Sequence, residues 1–161
     1  MPELRPLRAD DAPAVLAFEL ANRAWFTVTI SDRGDEYFEQ FPDRHRAALA
    51  EQEAGECAFY LLVAEDGAIL GRFNLYDLAG GAANLGYRVG QDFVGRGLAT
   101  AAVRELCALA ASEHGLHTLR AATSPTNVAS QRVLLKSGFV PAGPSEIGLA
   151  FQRDVTTAVS A

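Results

Sequence analysis

The chain has 161 residues, 49% hydrophobic and 21% charged, so it can bury one core and falls outside the disordered, collagen-like and disulfide-scaffold classes. Fourteen Lys and Arg against twenty Asp and Glu give a formal charge of −6, and a net negative domain lacks the basic footprint that a nucleic-acid partner requires. No run approaches the roughly 18 apolar residues of a membrane span, and Cys57 and Cys107 share no metal-ligand spacing, so the expectation is a single cytoplasmic domain over residues 1–161 with two reduced thiols.

In chain order, Leu4 to Arg8 alternates as a short first strand, and Asp10-Asp11-Ala12-Pro13 is an acidic, Pro-marked helix start. Val15, Leu16, Phe18, Leu20 and Trp25 then carry helical spacing to about residue 25. Gly34-Asp35 opens a second helical stretch through Leu49, which Pro42 divides. Ala58 to Ala64 is a buried-type strand ended by Asp66-Gly67, Ile69 to Leu78 a second, and Ala83 to Val89 a third. After Gly97 the period becomes helical, with Leu98, Ala102, Leu106 and Leu109 on one face. Leu116 to Thr123 reads as a strand, Asn127 to Ser137 as a helix, and strands from Gly138 and from Leu149 to Val155 close the chain. The order β-α-α-β-β-β-α-β-α-β-β predicts an α/β domain with a mixed sheet.

Two stretches carry chemical information. In Gln91-Asp92-Phe93-Val94-Gly95-Arg96-Gly97-Leu98-Ala99-Thr100, glycines sit where a strand hands over to an amphipathic helix. Unpaired backbone N–H groups at the positive end of a helix dipole form a phosphate cradle there, and Arg96 adds charge. A purely structural turn is the competing reading. The P-loop needs Gly-Lys-Ser/Thr where Gly97-Leu98-Ala99 stands, and a dinucleotide loop needs a third Gly where Thr100 stands. In the second stretch, Asn127 opens a helix with Ser130 at i+3, Gly138 suits the position after the helix, and Phe139 is a core residue.

Val94-Gly95-Arg96-Gly97-Leu98-Ala99 is similar to the Q/R-x-x-G-x-G/A motif of the GCN5-related N-acetyltransferase (GNAT) superfamily. Asn127-x-x-Ser130-x-x-x-Leu134-x-x-x-Gly138-Phe139 is similar to the segment that follows it, and the spacing from Leu85-Gly86-Tyr87 onward resembles the ribosomal-protein Nα-acetyltransferase branch. The resemblance covers essentially the whole chain. It implies a single-domain GNAT-like fold with a mixed central sheet of about six or seven strands, helices on both faces and a splayed strand pair. It also implies acetyl-CoA as donor, an amine as acceptor, and no metal. Pantetheine would hydrogen-bond the backbone at Tyr87, Arg88 and Val89, and the pyrophosphate would sit along Val94, Gly95, Arg96, Gly97, Leu98, Ala99 and Thr100. Asn127 and Ser130 would line the pantetheine arm. Dimers are common among such relatives.

Aminolysis of a thioester needs a neutral amine, a polarised carbonyl and a proton for the thiolate. The resemblance implies a backbone N–H near Val89 as oxyanion donor. Many relatives place a Tyr acid where Leu134 stands, which cannot donate, and the resembled branch uses Ser at the position of Ser130. Many place a Glu base where Asn84 stands; Asn accepts no proton but orients water or amine. Val94 replaces the usual Gln or Arg. Asn74, Tyr76 and Trp25 are substrate-side candidates, Asn74 and Tyr76 sharing a strand face and Asp77 the other. His114 and His117 at a turn do not make a metal site. The leading expectation is an acetyl-CoA-dependent N-acetyltransferase. Leu134 and Asn84 keep open a catalytically degenerate acyl-CoA-binding regulator.

Overall fold

Local punctuation sets the first helices. Pro13 stands at the start of α1 (Ala12–Ala21), just after a 3-10 turn over Ala9–Asp11, where its missing N–H has no partner to lose. In the computed structural model, which describes residues 1–156, the chain does not remain helical to residue 25. It breaks at Asn22 and restarts as α2 (Arg23–Phe26). The Asn22 side chain explains the break: its Nδ2 donates to the Phe18 carbonyl and its Oδ1 accepts from the Gln91 N–H, both at 2.9 Å. The buried face of α1 is Val15, Phe18 and Glu19, whereas Leu20 is 49% exposed. As Pro42 predicts, the second stretch is two helices, α3 (Asp35–Glu39) and α4 (Phe41–Glu53).

The strands are β1 (Glu3–Pro6), β2 (Ala58–Val63), β3 (Ile69–Ala79), β4 (Ala82–Val89), β5 (Thr118–Thr123), β6 (Val140–Ser145) and β7 (Gly148–Asp154). Between them run α5 (Leu98–Ser112) and α6 (Val128–Lys136). β1 stops two residues before Arg8 because the Asp11 carboxylate takes the Arg8 N–H at 2.7 Å and grips Arg5 at 2.8 and 2.9 Å, turning the chain out of the sheet. β5 begins at Thr118 rather than Leu116, since the N–H groups of His117 and Thr118 both donate to the Gly81 carbonyl. Gly81 takes φ +79° there, a conformation that favours glycine.

The seven strands follow the order β1-β2-β3-β4-β5-β7-β6. β1 and β2, β5 and β7, and β6 and β7 pair antiparallel, while β4 and β5 are parallel. The sheet is therefore mixed, as expected. Two compact units divide the chain, Met1–Asn74 with Tyr87–Val94, and Leu75–Gly86 with the segment from Gly95 onward. The first buries Leu7, Val15, Phe41, Cys57, Phe59 and Leu61 together. In the second, α5 packs on α6 and α6 on β5, burying Leu106, Cys107, Leu119, Leu134 and Phe139. Both cysteines are buried free thiols, and burial pushes the Cys107 thiol up from its ordinary value.

Candidate active site

Gly95 and Gly97 both take the left-handed conformation, at φ +77° and +74°, which is why this loop spends two glycines. No atom lies within 4 Å of where a Cβ would stand on either, so the backbone there is open to an incoming group. Gly97 is the N-cap of α5 and supplies no side-chain bond to the helix start. The first-turn N–H groups of a fifteen-residue helix thus lack a capping side chain, which is the donor arrangement an anion needs. Val94, Gly95, Arg96 and Gly97 are exposed, and Leu98, Ala99 and Thr100 half-buried. The residues present fit a pyrophosphate.

β4 pairs with β5 over only part of its length. Its parallel register with β5 runs from Ala82↔Thr118 to Asn84↔Arg120 and ends there, although β4 continues to Val89 and β5 to Thr123. β5 keeps its pairing with β7 along its full length, so it is the β4–β5 ladder that stops. The Tyr87 ring stacks on Phe73 with centroids 5.5 Å apart and planes 8° from parallel, which fixes the face that this end of β4 presents.

Asn127 is the N-cap of α6, and its Oδ1 accepts the Ser130 N–H at 3.2 Å. The spacing that made the pair notable therefore has a structural use, and it also places the half-buried Ser130 in the first turn. At the other end, the Phe139 N–H donates to the Leu134 carbonyl at 3.0 Å and the Gly138 N–H to that of Leu135 at 3.2 Å, a Schellman stop. Leu134 and Phe139 are 1% and 2% exposed and form its apolar contact. Leu134 is therefore a buried apolar residue with no proton to donate.

Asn84 is exposed on β4, with its Nδ2 donating to the Asp77 Oδ2 at 3.3 Å. Two residues on, a Cβ at Gly86 would meet the Tyr76 ring at 3.2 Å. Positions 84 and 86 share a strand face, so Tyr76 and Asp77 reach the same face of β4. The period-2 expectation that separated them fails because Asp77 takes φ +54°, the one non-glycine among the described residues with positive φ. Of the remaining candidates, Asn74 is buried in β3 and Trp25 half-buried on α2. Among the described residues no three His, Cys, Asp or Glu side chains are grouped to hold a metal ion, and no helix is long and apolar enough to cross a membrane.

The sequence reading passed over Glu19, which is 1% exposed and receives three arginines. Arg33 Nε lies 3.1 Å from Oε1, Arg72 Nη1 3.0 Å from Oε2, and Arg88 Nη1 3.4 Å from Oε1. Burial works against the Arg72 charge, but Glu19 and Tyr37 outweigh it and the net shift is upward. Arg88 is pushed down by burial, then by its like-charged neighbours Arg33 and Arg72. The available signal was a carboxylate on the inward set Val15, Phe18, Glu19 and Asn22, at helical i, i+3, i+4, i+7 spacing.

A sequence model described as "Acetyltransferase (GNAT) domain" matches residues 3–140. A probable N-acetyltransferase of Bacillus subtilis, YjcK, is 32% identical over 142 residues, covering 84% of this chain and 78% of its own. Among solved structures, the ribosomal-protein-S5-alanine acetyltransferase of Vibrio fischeri superposes with a TM-score of 0.88 at 19% identity, over 95% of this chain and 92% of that one. RimJ of Mycobacterium smegmatis, solved with a CoA-disulfide, gives 0.81 at 21% identity, over 98% and 87%. The two superpositions establish the fold, and the family model and the bacillary relative establish the lineage: the chain belongs to the acetyltransferase (GNAT) domain family and is an acyltransferase.

Proposed function

We propose that the chain transfers the acetyl group of acetyl-CoA to a primary amine by direct attack within a ternary complex. The observation that carries this reading is the pair of left-handed glycines, 95 and 97, opening onto the uncapped start of α5. Backbone N–H groups of Gly95, Arg96, Gly97, Ala99 and Thr100 would hold the pyrophosphate, flanked by Val94 and Leu98. The backbone of β4 from Tyr87 through Arg88 to Val89 would pair with the pantetheine amides. Acetyl-CoA supplies an activated thioester. The Val89 N–H would donate to the carbonyl oxygen, the Ser130 hydroxyl would give a proton to the departing sulfur, and Asn84, held by Asp77, would orient the amine or its water, with the proton that the amine loses passing to solvent water, which restores the Ser130 hydroxyl. Asn127 fixes the turn that carries Ser130. Tyr76, Asn74 and Trp25 remain acceptor-side proposals. The reading carries with it one domain across the chain, a cytoplasmic place of action, and neither nucleic acid nor membrane as partner.

The test is release of free thiol from acetyl-CoA in the presence of a panel of amines, with the acetylated product identified by mass. The expected outcome is thiol release matched mole for mole by one acetylated amine. Tight CoA binding with no thiol release for any amine would instead favour a degenerate acyl-CoA-binding protein.

A further inference from the structure

One narrow cleft lies entirely within the first compact unit, between α1, α2 and the segment that links α2 to α3. Glu19, Phe26, Ser31, Arg33, Phe38 and Arg88 line it, together with the Arg23–Asp32 pair. Its charge is opposite to that of the whole chain. Arg23 is spent on Asp32 and Asp35, at 2.7 and 2.8 Å. Glu19, however, faces Arg33, Arg72 and Arg88, a surplus of two positive charges around a carboxylate that is 1% exposed, which the second aspartate on Arg23 reduces to one across the two groups. Three guanidiniums on one carboxylate are more than pairing within the fold calls for, and a buried charge surplus is costly unless a counter-charge completes it.

The unused donors face outward. Arg33 gives only Nε to Glu19, lays its guanidinium 4.6 Å over the Tyr37 ring, and no hydrogen bond among the described residues engages either of its terminal nitrogens. Its side chain is 29% exposed, so those nitrogens reach the mouth of the cleft. Arg88 likewise uses Nη1 alone, with its guanidinium 4.8 Å over Phe26. Face stacking leaves the N–H edge of a guanidinium open, and that edge matches a carboxylate in bidentate fashion. Arg72 Nε is buried with no hydrogen-bond partner, a further mark of an incomplete cluster.

We infer that the mouth of this cleft, not its closed interior, takes the carboxylate of an acceptor carrying both an amine and a carboxylate, with Arg33 and Arg88 as its specificity residues. The inference rests on the acetyltransferase reading. Arg88 lies between Tyr87 and Val89, the segment proposed to present the thioester, so an acceptor anchored on its guanidinium is held one side-chain length from that backbone. The carboxylate has two sources, the acid group of a free amino acid or an acidic side chain near a peptide N-terminus. The net charge of −6 on the whole chain, which alone favours cationic acceptors, says nothing about one pocket.

The experiment measures acetyl-CoA-dependent kcat and KM for acid and amide partners. These are glycine, β-alanine and 4-aminobutanoate, each against its primary amide, and Ala-Glu-amide against Ala-Gln-amide, with putrescine as the cationic arm. At least one acid is expected to exceed its amide tenfold or more in kcat/KM, through KM, with the ratio shrinking at high salt. Which pair responds identifies the source. In Arg33→Gln that ratio should fall to near one, in Arg33→Lys it should be partly kept, and the KM for acetyl-CoA should stay where it was. Acid and amide ratios near one throughout, preference for putrescine, or a preference that survives Arg33→Gln would each overturn the inference while leaving the acetyltransferase reading intact. So would CoA binding with none of these amines acetylated. Absence of any CoA binding would remove both.

Discussion

At the scale of single residues, Asp77 and Ser130 make separable predictions. Asp77 takes a left-handed φ of +54°, a conformation that costs an ordinary side chain roughly 1–2 kcal/mol, and its carboxylate meets Asn84. Asp is among the few side chains that tolerate this region, and we propose that its contact with Asn84 serves the acceptor side. Asp77→Gly relieves the backbone and removes the contact, so melting temperature should hold or rise while acceptor KM climbs. Asn84→Ala should reproduce the KM effect without the gain in stability. Unchanged acceptor kinetics in both would place the amine elsewhere. Ser130 holds its backbone N–H on Asn127, so removing its hydroxyl spares the cap. Ser130→Ala should lower kcat about 10²-fold, the lower end for general-acid help, because a thiolate leaves tolerably well unprotonated. Its KM for acetyl-CoA should be unchanged, and full activity would assign the proton to water.

At the scale of elements, the start of α5 distinguishes backbone from side-chain recognition. Since nothing lies within 4 Å of a Cβ at Gly97, the fold opposes a side chain there only through the positive φ. Gly97→Val should therefore fold with a lowered melting temperature, yet lose CoA affinity well beyond what Arg96→Ala loses. Arg96 is exposed, and an exposed pairing with phosphate is screened by salt. Titration of CoA into both variants by calorimetry checks the ranking. A weaker Arg96→Ala would mean that charge, rather than backbone donors, holds the phosphate. Asn127 caps α6 with its own side chain, whereas α5 begins on a glycine in the left-handed conformation, so a side chain at 97 tests the backbone of the loop rather than a cap.

At the scale of the whole molecule, what could be read from the sequence was what neighbours in sequence determine. Pro42, Gly97, Asn127 and Gly138 mark element ends within a few residues of the chemistry they serve, and the order of strands and helices followed from them. Asp11 and Asn22 shifted boundaries because their side chains engage backbone groups, one at Arg8 just past the strand ahead of it and the other at Gln91, 69 residues on. The Glu19 cluster was invisible because its arginines stand at 33, 72 and 88 and meet only in the fold. The proposed donor site, read from its glycines, leads to a prediction about the stability of the entire chain. A ligand that binds the folded state alone stabilises it by mass action, about 2.7 kcal/mol at a hundredfold excess over Kd. Melting should be followed near pH 7.5, because burial holds the His114 imidazole below its ordinary value of 6.5. Below that pH the unfolded chain takes up a proton that the folded one resists, so stability falls as pH falls and would blur the comparison. Under those conditions CoA and acetyl-CoA should each raise the melting temperature by several degrees, increasing with ligand concentration and without a plateau at stoichiometry. No shift at millimolar CoA, with the protein folded, would contradict the donor site built on Gly95 and Gly97.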